Sequence, residues 1–233
     1  MTQQAQLGPV FSEFLERGNR LFNAALLAPT EKEHARVYYD FMKPQSNSSI
    51  VDMGCGTGHL GVMLQKIDPS LEIMNVVNDM ALAQLMDDED IPCFYASFES
   101  TPIPNECADV VMFNESIGHG DLRRCFTEAL RVLKTDGMMT IKDFTTIDLN
   151  QEVLSFDDWG YRVYRQDILI GVAYQHGFNL IEVKHPEMYT KDWFDIVEKH
   201  FVQYVCSYDR GNMPLCSVLY KFVKGNLSGR SQA

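Results

Sequence analysis

Val51-Asp52-Met53-Gly54-Cys55-Gly56-Thr57-Gly58-His59-Leu60-Gly61 is the stretch that decides the fold. Residues 49–53 read as a short buried strand, entered from the turn-rich Lys43-Pro44-Gln45-Ser46-Asn47-Ser48, and from Leu60 an apolar helical period begins. An acid, Asp52, sits at the strand's C-terminal end, and the glycines 54, 56 and 58 alternate behind it. A glycine carries no Cβ, so backbone and ligand approach closely and a positive φ costs little. The carboxyl end of a parallel strand is where open α/β sheets bind their ligands.

Outward from that loop, strands and helices alternate. Strands are expected at 71–77, 92–96, 108–113 and 138–144, with helices at 58–66, 80–86 and 121–133. Such alternation implies an α/β fold with a doubly wound, mainly parallel sheet. Upstream, Phe11, Phe14, Leu15, Leu21, Phe22, Ala25 and Leu26 share a helical face over 11–28. Thr30 caps a second helix that runs through Tyr38 and Tyr39 to Met42 and stops before Pro44. Residues 145–164 are polar and aromatic without a clear period. A helix at 166–176, a strand at 180–184, a helix around 192–204 and a last strand at 215–223 follow.

A chain of 233 residues suffices for one α/β domain with a sizeable core. Its six cysteines are scattered and form no C-x-x-C, which suits a reducing compartment and argues against zinc; no metal site is expected. No apolar run reaches the roughly 18–20 residues that cross a bilayer, and Met1-Thr2-Gln3-Gln4 is no secretory start, so a cytoplasmic protein is expected. The net charge of −12 disfavours a nucleic-acid partner, whose binding needs a basic surface. The oligomeric state stays open.

The glycine spacing separates two cofactor classes. A dinucleotide fingerprint is G-x-G-x-x-G, aimed at a pyrophosphate; here the run is G-x-G-x-G behind an acid, which suits a cationic ligand. D-x-G-C-G-T-G resembles motif I of the class I S-adenosylmethionine (SAM)-dependent methyltransferases. A second stretch, Asp109-Val110-Val111 … Arg131-Val132-Leu133-Lys134-Thr135-Asp136-Gly137, resembles their D-V-V … R-V-L-K-P-G-G in the expected order. The resemblance implies a seven-stranded sheet whose tail adds two antiparallel strands. It also implies one methyltransferase domain: 1–45 as helical lid or extension, 46–144 as SAM-binding half and 145–225 as substrate half. Asp52, Gly54, Cys55, Gly56 and Gly58 would hold the cofactor's methionine part. Val77 stands where most relatives place the ribose-binding acid, leaving Asn78 and Asp79 as candidates. Ser97 replaces an aspartate in the next stretch, so Ser97 or the Phe98 backbone would meet adenine, while the Phe98 ring reads equally well as core. Asn114, just past the fourth strand, would also meet the cofactor. Tyr38 and Tyr39 read as a lid over it or as packing onto the sheet.

Asn114-Glu115-Ser116-Ile117-Gly118-His119-Gly120-Asp121, with Phe126 and Glu128, resembles the matching segment of geranyl diphosphate C-methyltransferases. Sterol C-methyltransferases carry a similar Glu with His four residues on. That likeness implies a small-molecule acceptor with an alkene carbon, whose methylation creates a cation. Glu115 would stabilise the cation or take the proton; His119, titrating near neutral pH, is the other base, or else a helix cap. Trp159, Tyr161, Tyr164, Trp193 and Tyr204 suit an apolar or cationic acceptor pocket, or core. A diphosphate would want clustered cations, and Arg162, Arg165, Lys184, Lys191 and Arg210 form no evident cluster in sequence. N- or O-methylation of a metabolite or protein is the alternative, and the replacements at Val77 and Ser97 raise a third, a SAM-binding partner that transfers nothing.

Overall fold

The computed structural model describes residues 31–146, 149–156, 160–184 and 215–225. The helices expected at 11–28 and around 192–204, together with Trp159, Lys191, Trp193, Tyr204 and Arg210, lie outside the described residues.

Helix α1 (Glu31–Met42) ends where Lys43 turns left-handed, φ 51°, and its amide donates to the Tyr39 carbonyl at 2.8 Å. Pro44 follows, a residue that cannot continue a helix. The chain then alternates: β1 (Ser49–Met53), α2 (His59–Ile67), β2 (Glu72–Val77), α3 (Met80–Asp88), β3 (Cys93–Tyr95), β4 (Ala108–Asn114), α4 (Leu122–Val132) and β5 (Leu133–Thr146). Asp79 and Asp121 cap α3 and α4, their carboxylates accepting from the amides of Leu82 and Arg124, each at 3.0 Å. A 3-10 turn, Ile117–His119, joins β4 to α4.

Strands β3, β2, β1, β4 and β5 lie parallel in that order. The tail adds β6 (Val153–Phe156), β7 (Tyr161–Arg165), α5 (Gln166–Gln175), β8 (Phe178–Lys184) and β9 (Leu215–Lys224). β9 runs antiparallel along β5 from Met138↔Val223 to Thr146↔Leu215, and β8 pairs antiparallel with β9. These seven strands match the expected sheet, but among the described residues the sheet has nine. The two extra strands, β6 and β7, form an antiparallel hairpin in the stretch without period. β7 pairs with Thr145 and Thr146 of β5. Since β9 already holds the other edge of β5 there, β7 continues the edge that β4 leaves at Asn114↔Lys142. The hairpin therefore stands in line with β4, beyond its carboxyl end. Its alternation was hard to see because it buries little core; Val163 is its one fully buried apolar residue among those described.

Successive strand residues face opposite sides. Ile50, Val110 and Met112 pack with Tyr38, Phe41 and Leu64 under α1 and α2. Val51, Met53, Val111, Phe113, Met139 and Ile141 pack with Phe126 and Leu169 of α4 and α5. Residues 134–137, expected as a turn, form a bulged start to β5: pairing jumps from Ala108↔Leu133 to Val110↔Met138.

The stretch from Asp109 to Gly137 proves to be a staple for this architecture. Arg131 donates to both Glu128 oxygens, at 2.8 and 2.6 Å, and to the carbonyl of Ile103 at 2.8 Å. Glu128 also accepts from the amide and hydroxyl of Thr101, at 2.6 and 2.7 Å. Lys134 bonds Asp109 at 2.8 Å, and Asp109 accepts from the Ser49 amide at 2.9 Å. The pattern thus ties the loop after β3 to α4, and β4 to β1.

Candidate active site

The glycine loop leaves β1 with Gly54, Gly56 and Gly58 all at positive φ, 80°, 60° and 76°. The amides of Gly54 and Cys55 both donate to the Val76 carbonyl at 3.0 Å, which pins the loop to the end of β2. At Gly54 the constraint is also contact: a Cβ there would lie 2.6 Å from the Ser116 Cβ. The Ser116 hydroxyl in turn donates to the Met53 carbonyl at 2.6 Å, clamping the β1 and β4 ends together. Gly56 is the opposite case, with nothing within 4 Å of a Cβ built on it. It borders open space.

Asp52 sits directly beneath, 1% exposed, and its Oδ1 has no hydrogen-bond partner among the described residues. Burial raises its carboxyl to about 7. Buried polar atoms are normally paired, so an orphaned carboxylate oxygen under an open glycine bend fits a ligand that brings a cation. The Asn114 Oδ1 is likewise buried and unpaired. Cys55 lies in the same loop with its thiol pushed well up by burial, then by Asp52, which makes it inert rather than nucleophilic.

The remaining expected cofactor residues divide. Val77 is 1% exposed and packs with Leu82 and Met86, so it offers a ribose nothing polar. Asn78 is half-buried at the strand exit, and Asp79 spends one carboxylate oxygen on the α3 cap. Ser97 is exposed and accepts from the Glu99 amide at 3.2 Å. The Phe98 ring is core, edge-on to Phe113 at 6.3 Å between centroids. Tyr38 is packing as well: its ring is buried and its hydroxyl donates to the Phe113 carbonyl at 3.0 Å. Of the two readings of this side chain, lid or packing onto the sheet, the structure shows the packing, because the apolar face of α1 turns it into the sheet. Tyr39 is half-buried, and its hydroxyl donates to Asp68 at 3.1 Å.

Beyond β4 the backbone kinks at Glu115, φ 51°, an uncommon conformation for a residue with a Cβ that costs ~1–3 kcal/mol. Its amide donates to the Lys142 carbonyl at 2.8 Å, and its carboxylate forms an ion pair with the Lys142 ammonium. Both side chains are buried. Burial pulls the Lys142 ammonium down to about 7, with Asp143 opposing the fall; the Glu115 carboxylate against it opposes it further. On the opposite face of β5, Asp143 accepts from the Tyr161 hydroxyl and from the Phe144 amide, while its Oδ2 is unpaired. Burial raises Asp143 to about 6 against those hydrogen bonds.

His119 corrects an expectation. Its Nδ1 lies 3.1 Å from the Gly160 carbonyl, which only accepts, so Nδ1 carries the proton. The ring packs edge-on to Tyr161, centroids 4.7 Å apart, and burial lowers its pKa to about 4. At neutral pH it is a neutral imidazole, not a group poised between two states. Its visible work is to fasten the hairpin to the β4–α4 turn. Gly118 serves the same seam, since a Cβ there would lie 2.4 Å from the Arg162 carbonyl. Lys142 and Asp143 were not singled out from the sequence, and Tyr161 stood there only among the aromatics of a pocket or core. A Lys-Asp pair at the end of an otherwise apolar strand was the available signal.

Residues 51–141 match the family model of a methyltransferase domain. The fold, the glycine loop and the family match over 51–141 are together similar to those of SAM-dependent methyltransferases. Three solved structures of the same fold show the range it spans. The [4+2]-cyclase SpnF is 14% identical, with 92% of this chain and 96% of that one covered and a TM-score of 0.76. Geranyl diphosphate C-methyltransferase from Streptomyces coelicolor A3(2), solved with Mg2+, geranyl diphosphate and S-adenosyl-L-homocysteine, is 16% identical, with 96% and 89% covered and a TM-score of 0.69. The cyclopropane synthase MmaA2 from Mycobacterium tuberculosis is 13% identical, with 94% and 100% covered and a TM-score of 0.68. At such identities the likeness is one of fold. No curated protein sequence matches. Among the described residues no helix is long and apolar enough to cross a membrane, and no cluster of three or more His, Cys, Asp or Glu could hold a metal.

Proposed function

We propose that this protein methylates a small-molecule acceptor bound between the ends of β4 and β5 and the β6–β7 hairpin, and that the acceptor is an alkene carbon of an isoprenoid-like compound. The observation that carries this is the buried Glu115 carboxylate at the carboxyl end of β4, next to the strand end whose loop fits SAM. The bound cofactor supplies an electrophilic methyl carbon on a sulfonium centre. Asp52 would accept from the cofactor's ammonium, with the bend at Gly56 giving it room and Gly54 holding the loop against Ser116. The residues around the acceptor then align it and exclude water. A methylated alkene passes through a carbocation, and Glu115 lowers its energy by charge and takes the departing proton on a carboxylate oxygen. Neutral His119 holds the hairpin shut over that carbon.

The test is calorimetry with SAM, followed by methyl transfer from labelled SAM to a panel of prenyl alcohols, prenyl diphosphates and sterols. Glu115→Gln should leave SAM binding nearly intact and cut turnover by about 10²-fold or more. No heat with SAM refutes the cofactor reading, and unchanged turnover refutes the role of Glu115. A second reading has its own support in Val77, buried where a ribose acid would stand, and in a neighbouring structure that is a cyclase. Here SAM would bind without giving up its methyl group, and tight binding with no transfer to any acceptor of the panel favours it. Cytoplasmic location and a small metabolite as partner belong to the main proposal.

A further inference from the structure

We propose that Lys142 is the positioning residue of the acceptor site: its ammonium keeps the buried Glu115 carboxylate ionised and fixes where it points. This rests on the reading of Glu115 given above.

One residue holds Glu115 twice. The Lys142 carbonyl takes the Glu115 amide at 2.8 Å, and the Lys142 ammonium meets the carboxylate. The side chains are 4% and 6% exposed, so water solvates neither charge well. On its other side the ammonium lies over the Phe144 ring, 5.6 Å from the centroid, a further contact that favours the charged form. Register explains the meeting. Lys142 pairs with Asn114, the last residue of β4, so the left-handed kink at Glu115 swings the next side chain back across it. The lysine stands on β5, a strand paired on both edges, rather than on a loop, a base suited to holding another group in place.

A buried carboxylate without a counter-charge takes up a proton. A protonated Glu115 would neither stabilise a cation nor accept a proton. The other ionisable groups around the pair do not do the job of Lys142. Asp143 follows on β5, Asp52 stands on β1, and Tyr38 from α1 and Tyr161 from β7 stay protonated, both pushed well up by burial. His119 is neutral, and Lys221 of β9 bonds Glu182 at 2.9 Å. Among the described residues, Lys142 is thus the cation in contact with Glu115.

The experiment is a pH titration of the intact protein labelled with 13C at glutamate carboxyls, with the Glu115 signal assigned by its loss in Glu115→Gln. In the wild type Glu115 should be ionised at neutral pH. In Lys142→Met its midpoint should rise by about two units or more, and Lys142→Arg should bring it back to within about half a unit. An unchanged midpoint in Lys142→Met overturns the proposal. So does a wild-type midpoint above about 6, which decides the matter even where Lys142→Met does not fold. SAM calorimetry on the same proteins separates the two ideas. A wild type that binds no SAM sinks the methyltransferase reading and leaves the titration result standing, whereas SAM binding with an unmoved Glu115 sinks only the role of Lys142.

Discussion

Replacing Gly54 and Gly56 separately by alanine should produce two different defects from the same chemical change. At Gly54, φ of 80° places an alanine in the left-handed region, at a cost of ~1–2 kcal/mol. Its Cβ would stand 2.6 Å from the Ser116 Cβ and 3.1 Å from its Oγ, about 1 Å inside an ordinary carbon–carbon contact. Ser116 cannot retreat, because it is buried and its hydroxyl is bonded to the Met53 carbonyl at 2.6 Å. Overpacking of that kind brings the total to ~2–5 kcal/mol. At Gly56, φ is 60° and no atom lies within 4 Å, so only the backbone strain of ~1–2 kcal/mol applies. Urea unfolding of the ligand-free proteins reads the stability difference directly. SAM calorimetry should then show Gly56→Ala, though well folded, weakened by about tenfold or more, because its methyl group takes the space left to the ligand. A Gly54→Ala protein as stable as the wild type would refute this account, and so would equal losses in the two variants.

Four further outcomes follow from other parts of the molecule. The Asp52 carboxyl is raised to about 7 against an unfolded value near 3.8, so in the free protein it contributes stability below pH ~4 that is lost as pH rises through 7, a swing on the order of 4 kcal/mol. Asp52→Asn should flatten that slope in pH-dependent unfolding and abolish SAM binding, whereas in the wild type SAM affinity should climb from pH 5.5 to 8 with release of a proton. Glu128 behaves in the opposite sense: burial would raise its pKa, but the Arg131 and Thr101 hydrogen bonds win and hold it low. Its contribution is present above pH ~4.5 and lost as pH falls further, and Arg131→Met should cost about 2 kcal/mol in urea at pH 7. Tyr161→Phe leaves the Asp143 carboxylate with the Phe144 amide as its one remaining donor among the described residues and should cost ~1–3 kcal/mol, with hydrogen exchange accelerated in 160–165; Asp143→Asn should cancel part of that loss. The His119 ring protons should shift in NMR only as pH approaches 4, and a midpoint near 6.5 would contradict the buried seam with Gly160.

The parallel half of the sheet was legible because its strands are buried on both faces and broken by turn residues, as at Asp68-Pro69-Ser70. Glycine spacing identified the loop because a positive φ and close approach demand that residue type. What stayed hidden depends on contacts between distant positions. Nothing local to Tyr38 says that its ring faces the sheet, and nothing local to His119 says that burial drives its pKa to about 4. Glu115 was visible as an acid after β4, but its partner lies 27 residues downstream, in a strand whose period speaks only of burial. Ser116 looked like part of an acceptor segment, and the structure makes it the clamp between two strand ends. The hairpin was missed because it packs on a loop and a turn, where strict apolar alternation is not required.

β5 has a parity as well as a length. Its neighbours Lys142 and Asp143 point to opposite sides of one sheet, so a single strand end delivers a cation to Glu115 and an anion to Tyr161. A one-residue slip of β5 between β4 and β9 would exchange them, setting the Asp143 carboxylate against Glu115 and the Lys142 ammonium against the Tyr161 hydroxyl, a donor facing a donor. A two-residue slip would restore the sides but withdraw Thr145 and Thr146 from β7. The bulge over 134–137 therefore acts as a register pin. Insertions that alter the phase of this strand should be far harder for a lineage to accept than changes in the hairpin it supports.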